Sequence, residues 1–284
     1  MSKFNKLNIA IVGCGKHAKE FHIPSFLRLK KYFKIVGVYD PVNRRAKKIK
    51  KQLKNIKIYK NFKATLFDKS IDTIDICSPP RFHFNQIVLS MMANKNVMVE
   101  KPMVLKTKEL KQIIKINKKY KKTILCLQQQ IYREETKKLI TLIRNKNLVG
   151  KLKKIEGFAF VKIPGQINNS FTDKFISGGG PLIDQGSHII GLIIHLFSRR
   201  KIKLISGNLF YDRREKNKKL IFNVETRAFL KFKVSKNIIF DFETAYHKKN
   251  RDFFIKFYFT KGLLHWPSLK FENYVKKNKM RVFN

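Results

Sequence analysis

Apolar residues in the first 120 positions alternate between two periods. Short β-branched runs read as strands: NIAIV at 8–12, FKIVGVYD at 33–40, IKIY at 56–59, IDTIDICSPP at 71–80 and NVMVEKP at 96–102. Between them, apolar residues recur at helical spacing from about Lys16 to Tyr32, in the lysine-rich RRAKKIKKQL, in a short stretch after IKIY, in HFNQIVLSMMANK and in TKELKQIIKINKKY, where Thr107 is placed to cap the first turn. Strand and helix in strict alternation predict βαβ units around a parallel sheet.

The pattern changes after residue 122. TILCLQQQ (123–130) reads as a crossing strand, EETKKLITLIRNKN as a helix, and LVGKLKKIEGFAFVKI as a turn and a strand. Four further strand-like runs follow at short spacing: KIKLISGNLFY, NVETRAFLKFKV, NIIFDFETAYH and DFFIKFYFTKGLLHW. Many alternate polar and apolar positions, as an antiparallel sheet with one covered face should. The chain is therefore divided into an N-terminal doubly wound domain, 1–122, and an α/β domain with a large, mainly antiparallel open sheet, 123–284.

The turn after the first strand is Gly13-x-Gly15-x-x-Ala18, followed by a helix. In a dinucleotide-binding turn the first glycine permits the bend, the second lets a pyrophosphate approach, and the small third residue packs helix on strand. The helix N-terminus, with Lys16 and His17, offers N–H groups to phosphates. The second strand ends in Asp40, which suits the ribose hydroxyls and favours NAD over NADP; Arg44 and Arg45 soften that preference. Two more strand ends face the same edge: Ser78-Pro79 with His83 nearby, and Glu100-Lys101-Pro102. The plain alternatives are a glycine turn with a surface aspartate, and a solvated Glu-Lys loop.

One apolar segment carries unexpected chemistry. After Gly178–Gly180, Pro181 suits the first turn of a helix expected from Leu182 to Phe197, apolar almost all round and therefore buried. Asp184 and His188 stand four residues apart in it and project on one face, with Gly186 between them leaving room for a ligand. A buried carboxylate and imidazole are costly unless paired or used. They are either a satisfied core pair or a functional one. No third ligand at metal-binding spacing accompanies them, so no metal site is expected.

Charge and cysteines add bounds. The net charge is +44, from 63 Lys and Arg against 19 Asp and Glu. The lysines are scattered over every predicted element and no nucleic-acid motif is present, so only non-specific attraction to polyanions is expected. Three separated cysteines, Cys14, Cys77 and Cys126, suggest reduced thiols rather than disulfides. No apolar run reaches membrane-spanning length, and the chain reads as a soluble cytoplasmic protein without a membrane partner.

GCGKHA, VYDP, CSPPRFH, VMVEKP, LVGKLKKIEG and GGGPLIDQGSH, in this order, resemble the glucose–fructose oxidoreductase, inositol dehydrogenase and rhizopine catabolism (Gfo/Idh/MocA) family, over about Asn8 to Gly262. The resemblance implies a Rossmann domain followed by a substrate and oligomerisation domain, with NAD or NADP as cofactor. It also implies a sugar, sugar-nucleotide or cyclitol substrate and a homo-oligomer formed through the C-terminal sheet. It implies that Lys101, Asp184 and His188 converge on the reacting carbon. His188 would be the general base, Lys101 would stabilise the reacting oxygen, and Asp184 would orient the hydroxyl or the imidazole. In some members the lysine transfers the proton, and that choice stays open here. The chain departs from the family pattern at Gly191, where an acid is common, and at His195, where tryptophan is common and a packing variant is expected. It also ends early, so a shortened substrate wall is expected. The rival readings are a non-catalytic family member that senses cofactor or sugar, and a polyanion binder.

Overall fold

The computed structural model describes residues 5–162, 170–198, 201–211, 221–247, 252–274 and 280–282. The chain divides into two units, Met1–Leu127 and Gln128–Asn284.

The first unit is built on six strands, β1 (Leu7–Val12), β2 (Phe33–Tyr39), β3 (Lys57–Ile58), β4 (Thr73–Ile76), β5 (Asn96–Glu100) and β6 (Ile124–Leu127). They run in the order β3-β2-β1-β4-β5-β6, and every neighbouring pair is parallel. The period-2 alternation explains how both faces are filled. Ile9 and Ile11 of β1 face the helices Ile23–Arg28 and Asn43–Leu53 through Ile23, Phe26, Ala46 and Ile49. Ala10 and Val12 face the other side, with Ile87, Met91 and Ile113 of the helices His83–Met92 and Thr107–Tyr120. Strand order reverses between β1 and β4, so the crevice for a ligand lies at their carboxyl ends.

Two details depart from the sequence reading. Residues 124–127 were expected to cross into the second domain, but β6 pairs with β5, so the first unit ends at Leu127 rather than at 122. Thr107 does not cap its helix. It is the first helical residue, and the Glu109 carboxylate closes the turn by accepting the N–H groups of Leu105 and Lys106 at 3.2 and 3.1 Å.

The second unit carries β7 (Leu152–Lys162), β8 (Lys203–Phe210), β9 (Arg227–Ser235), β10 (Ile238–His247), β11 (Asp252–Phe259), β12 (Gly262–Trp266), β13 (Lys270–Asn273) and β14 (Met280–Val282). Their order is β14-β13-β12-β11-β7-β10-β9-β8. All neighbours are antiparallel except β7 and β10, which run parallel. The run expected as one strand from 252 to 266 folds back at Thr260–Lys261 into the hairpin β11–β12. Alternation along β7 buries Ile155, Gly157, Ala159 and Val161 on one face and leaves Lys154, Glu156, Phe158 and Phe160 on the other. The buried face packs against Leu139 and Leu142 of the helix Glu134–Arg144 and against Ile189, Leu192 and Ile193 of the helix Ser187–Leu196. A Cβ at Gly157 would stand 2.9 Å from Ile189 and Phe240, so only glycine lets this helix lie so close.

Candidate active site

In the first unit the glycine turn sits at the end of β1. Gly13 has φ +96°, and a Cβ there would lie 2.7 Å from the backbone of Cys77 and Ser78. The first glycine is therefore needed where two strand ends touch as well as for the bend. A Cβ on Gly15 would meet no protein atom within 4 Å, so nothing in the protein itself demands glycine at that position. This fits a turn whose second glycine is reserved for close approach by a ligand phosphate. Ala18 is fully buried, as helix packing on the strand requires, while Lys16 is exposed and lies 3.9 Å from Glu20.

Asp40 is buried, and its carboxylate already holds the turn. One oxygen accepts the Cys14 N–H at 2.7 Å and the other the Val42 N–H at 2.8 Å. Arg44 is exposed on the first turn of its helix. At the end of β4 the Ser78 hydroxyl donates to Gln86 at 2.6 Å, and Pro79 leads the chain into the next helix. His83 differs from expectation. It is fully buried, with one ring nitrogen 2.7 Å from the Ser78 carbonyl and the other 2.8 Å from the Pro102 carbonyl. Neither nitrogen is left for a ligand, and His83 ties the ends of β4 and β5 together. Its burial holds the imidazole below its ordinary value, against the two carbonyls.

The end of β5 is held from its other side by residues the sequence reading passed over. His22 lies buried with Nδ1 2.9 Å from Asp75 and Nε2 2.9 Å from Glu100, and His17 reaches the same Glu100 oxygen at 3.2 Å. The second Glu100 oxygen accepts the Lys101 N–H at 3.2 Å. Burial alone would depress His22, but the charge of Asp75 and hydrogen bonds with Asp75, Cys77 and Glu100 hold it well above its ordinary 6.5. Glu100 moves the other way. Burial would raise it, and His17 and His22 bring it well below its ordinary 4.5.

These opposite shifts set a pH window. A raised histidine contributes stability in full below about 6.5, and loses it as pH climbs towards the folded value. A depressed glutamate contributes above about 4.5, and loses it as pH falls through the folded value. The melting-temperature difference between the parent and His22→Gln should thus be widest near pH 4.5 to 6.5 and shrink steadily as pH is raised from 7 to 9. A difference that stays flat over that range would contradict the linkage.

In the second unit the glycine segment is bound to a distant acid. Glu225, buried, accepts the N–H groups of Gly180 at 2.9 Å and Leu182 at 3.1 Å. A Cβ on Gly180 would collide with the Glu225 carbonyl oxygen. The helix opens with a π-turn, Leu182–Gly186, and continues as Ser187–Leu196. Asp184 is half-buried, accepts from the Gln185 side chain at 2.9 Å, and its carbonyl accepts from Ser187. His188 is 9% exposed and packs edge-on to Phe253.

Three expectations are revised here. Gly186 does not open a path for a ligand, since a Cβ there would stand 3.0 to 3.1 Å from Leu182 and Phe242 in the core. The helix is not buried all round, because Ile194 is 52% exposed and His195, expected to pack, is exposed beside it. Gly191, where the family pattern has an acid, faces the Gln128 side chain.

Residues 7–127 match the family described as oxidoreductases with an NAD-binding Rossmann fold. Over these residues, which make up the first unit, the match is to the Gfo/Idh/MocA oxidoreductases. Among curated relatives are D-glucoside 3-dehydrogenase of Escherichia coli, 25% identical over 72% of this chain and 58% of the relative, and scyllo-inositol 2-dehydrogenase (NADP(+)) of Bacillus subtilis, 23% identical over 74% and 57%. The chain thus spans little more than half the length of the curated relatives it matches. A 3-ketoreductase of Actinomadura kijaniata, solved with NADP and TDP-benzene, shares the fold over 98% of this chain and 84% of its own with a TM-score of 0.86 at 13% identity. Myo-inositol 2-dehydrogenase of Lactobacillus plantarum does so over 92% and 76% with a TM-score of 0.81 at 20% identity. The likeness in fold runs through both units, beyond the stretch matched by the Gfo/Idh/MocA family.

The described residues carry no helix long and apolar enough to cross a membrane. Cys14, Cys77 and Cys126 are free. Within the first unit the structure also brings together His17, His22 and Glu100, and His22, Asp75 and Cys77, in groups compact enough to hold a cation. The spacing of His17 and His22, five residues apart just after the glycine turn, was the available signal. Glu225 offered none, because it reaches the glycine segment from 45 residues away.

Proposed function

We propose that the chain is an NAD(P)-dependent oxidoreductase that interconverts a hydroxyl and a ketone on a sugar, sugar nucleotide or cyclitol. The observation that carries this is the cradle at the β1 end. Gly15 has open space around its Cα beside a helix N-terminus, in a domain of the NAD-binding family. The acidic side chain at the end of β2 favours NAD. Asp40 would present the ribose with a carboxylate already fixed by the Cys14 and Val42 N–H groups, poorly placed for a 2′-phosphate. Gly13 and Ala18 shape the turn, and Lys16, His17, Ser78 and Pro79 line its edge.

When bound, the nicotinamide supplies or accepts the hydride. The chain's own residues manage the proton and the charge. In the oxidising direction His188 takes the proton of the substrate hydroxyl. Lys101 donates a hydrogen bond to that oxygen and offsets the negative charge that develops on it. Asp184, held by Gln185, orients the hydroxyl or the imidazole.

Homo-oligomerisation is assigned to the face of the second sheet that carries Phe158 and Phe160. There, aromatic side chains alternate with ion pairs such as Lys154–Glu156 at 2.7 Å and Arg227–Glu243 at 2.7 Å. A monomer in sedimentation at micromolar concentration would remove this assignment.

The test of function is turnover of a panel of sugars, sugar nucleotides and cyclitols with NAD and with NADP, read by the fluorescence of reduced cofactor. NADH formation from one class, with NAD preferred, is expected. Firm NADH binding with no turnover of any compound would favour the non-catalytic sensor instead.

A further inference from the structure

We propose that His22 is a positioning residue, a buried imidazolium that ties the glycine-turn helix to the ends of β4 and β5 and so sets the Glu100–Lys101 strand end beside the cofactor. This rests on the oxidoreductase reading above.

Helix geometry brings two histidines onto one carboxylate. The helix after the glycine turn opens with a π-turn, Ala18–His22, in which the Ile23 N–H bonds to the Ala18 carbonyl five residues back. Such a turn stacks residues five apart, whereas the 3.6-residue period of an α-helix would splay them. His17 and His22 therefore reach the same oxygen of Glu100, at 3.2 and 2.9 Å.

The groups facing the His22 ring decide its state. From β4 come both Asp75 oxygens, at 2.9 and 3.1 Å from Nδ1, and the Cys77 sulfur at 3.2 Å. From β5 comes Glu100 at Nε2, and from its own helix the His17 ring, edge-on at 5.5 Å. Each ring nitrogen thus faces a carboxylate. Only the imidazolium has two N–H donors; a neutral ring would turn a lone pair on one buried carboxylate.

His22 is 6% exposed, so it acts through other groups. Glu100 passes its hold to Lys101 by accepting the Lys101 N–H, and His83 grips the next residue, Pro102, from the other flank. The strand end that delivers the proposed oxyanion donor is thereby pinned on both sides by histidines. Catalytic groups need this kind of support to stay within a fraction of an ångström of the productive position.

The first measurement uses the unaltered protein. Ring-nitrogen NMR should find both His22 nitrogens protonated from pH 6 to 9, and a neutral ring in that range would overturn the proposal. So would zinc binding that leaves His17 and His22 with deprotonated, metal-bound nitrogens, which would mark a two-histidine, one-glutamate metal site instead. The second compares His22→Gln and Asp75→Asn, the milder change. Both should speed exchange of the Lys101 amide and lower kcat roughly 10- to 100-fold, with KM for the sugar and NADH affinity little changed. Unchanged amide exchange, or an unchanged kcat in a parent that turns over sugar, would overturn it. A parent that turns over nothing refutes the oxidoreductase reading alone; ring protonation and amide exchange then decide the role of His22 by themselves.

Discussion

Lys101→Met and His188→Ala should each lower turnover of a sugar-type substrate by about 10²-fold or more, the usual scale for losing an acid–base group, while NADH binds nearly as tightly as in the parent. The two side chains reach their positions by different means. Lys101 follows β5, and its backbone N–H is anchored to Glu100. His188 lies in the first turn of the helix Ser187–Leu196, among Ile189, Leu192 and Ile193, which fix it on the second sheet. Neither substitution removes a residue of the core clusters. Thermal unfolding of Lys101→Met should therefore stay close to the parent, while His188→Ala also loses the buried ring contact with Phe253, so its turnover is compared well below its own melting temperature. The variant that also loses a limb of the pH–rate profile identifies the proton-transfer residue. Loss of NADH binding with unchanged turnover at saturating cofactor would assign Lys101 to the cofactor instead.

The two glycines of the turn should fail in opposite ways. Gly13→Ala places a Cβ 2.7 Å from the Cys77–Ser78 backbone at a φ of +96°. Strain of this kind costs on the order of 1–3 kcal/mol before any clash is relieved, and the melting temperature should fall by several degrees. A Cβ at Gly15 meets no protein atom within 4 Å, so the melting temperature of Gly15→Val should stay close to the parent's. NADH binding, followed by fluorescence titration, should nevertheless be abolished, because the added methyl groups occupy the path of a pyrophosphate. A Gly15→Val protein that binds NADH normally would separate this turn from the cofactor.

The elements were legible because their signals are local. The β-branched runs and the glycine turn predict β1, β2 and β5 to within two residues and place β4 inside a longer run, 71–80, and strict alternation predicts a parallel sheet. The limits of that reading are equally physical. Residues 124–127 carry a strand pattern but no mark of which sheet they join; pairing with β5 decides that. Gly186 and Gly15 look alike in sequence, yet one faces Phe242 and the other faces no protein atom, a distinction only packing creates. His83 was legible as a histidine near a strand end, but two carbonyl partners 5 and 19 residues away turn it inward. The Asp75–His22–Glu100 link joins residues 53 and 78 positions apart, and no local pattern announces it.

The arrangement around β7 bears on how the second unit is made. This strand lies inside the sheet, yet both its partners come much later in the chain. Thr244 of β10 bonds to the Ala159 carbonyl across 85 residues, and Tyr258 of β11 bonds to Glu156 across 102. On a ribosome, β7 would emerge with two bare edges and wait for some hundred residues before either could close. Pairings of such long range are slow to form and leave strand edges open to other chains in the interval. Synthesis of this half of the protein should therefore depend on chaperones that shield Phe158 and Phe160, while the locally wound first unit, made earlier, can fold ahead of it unaided.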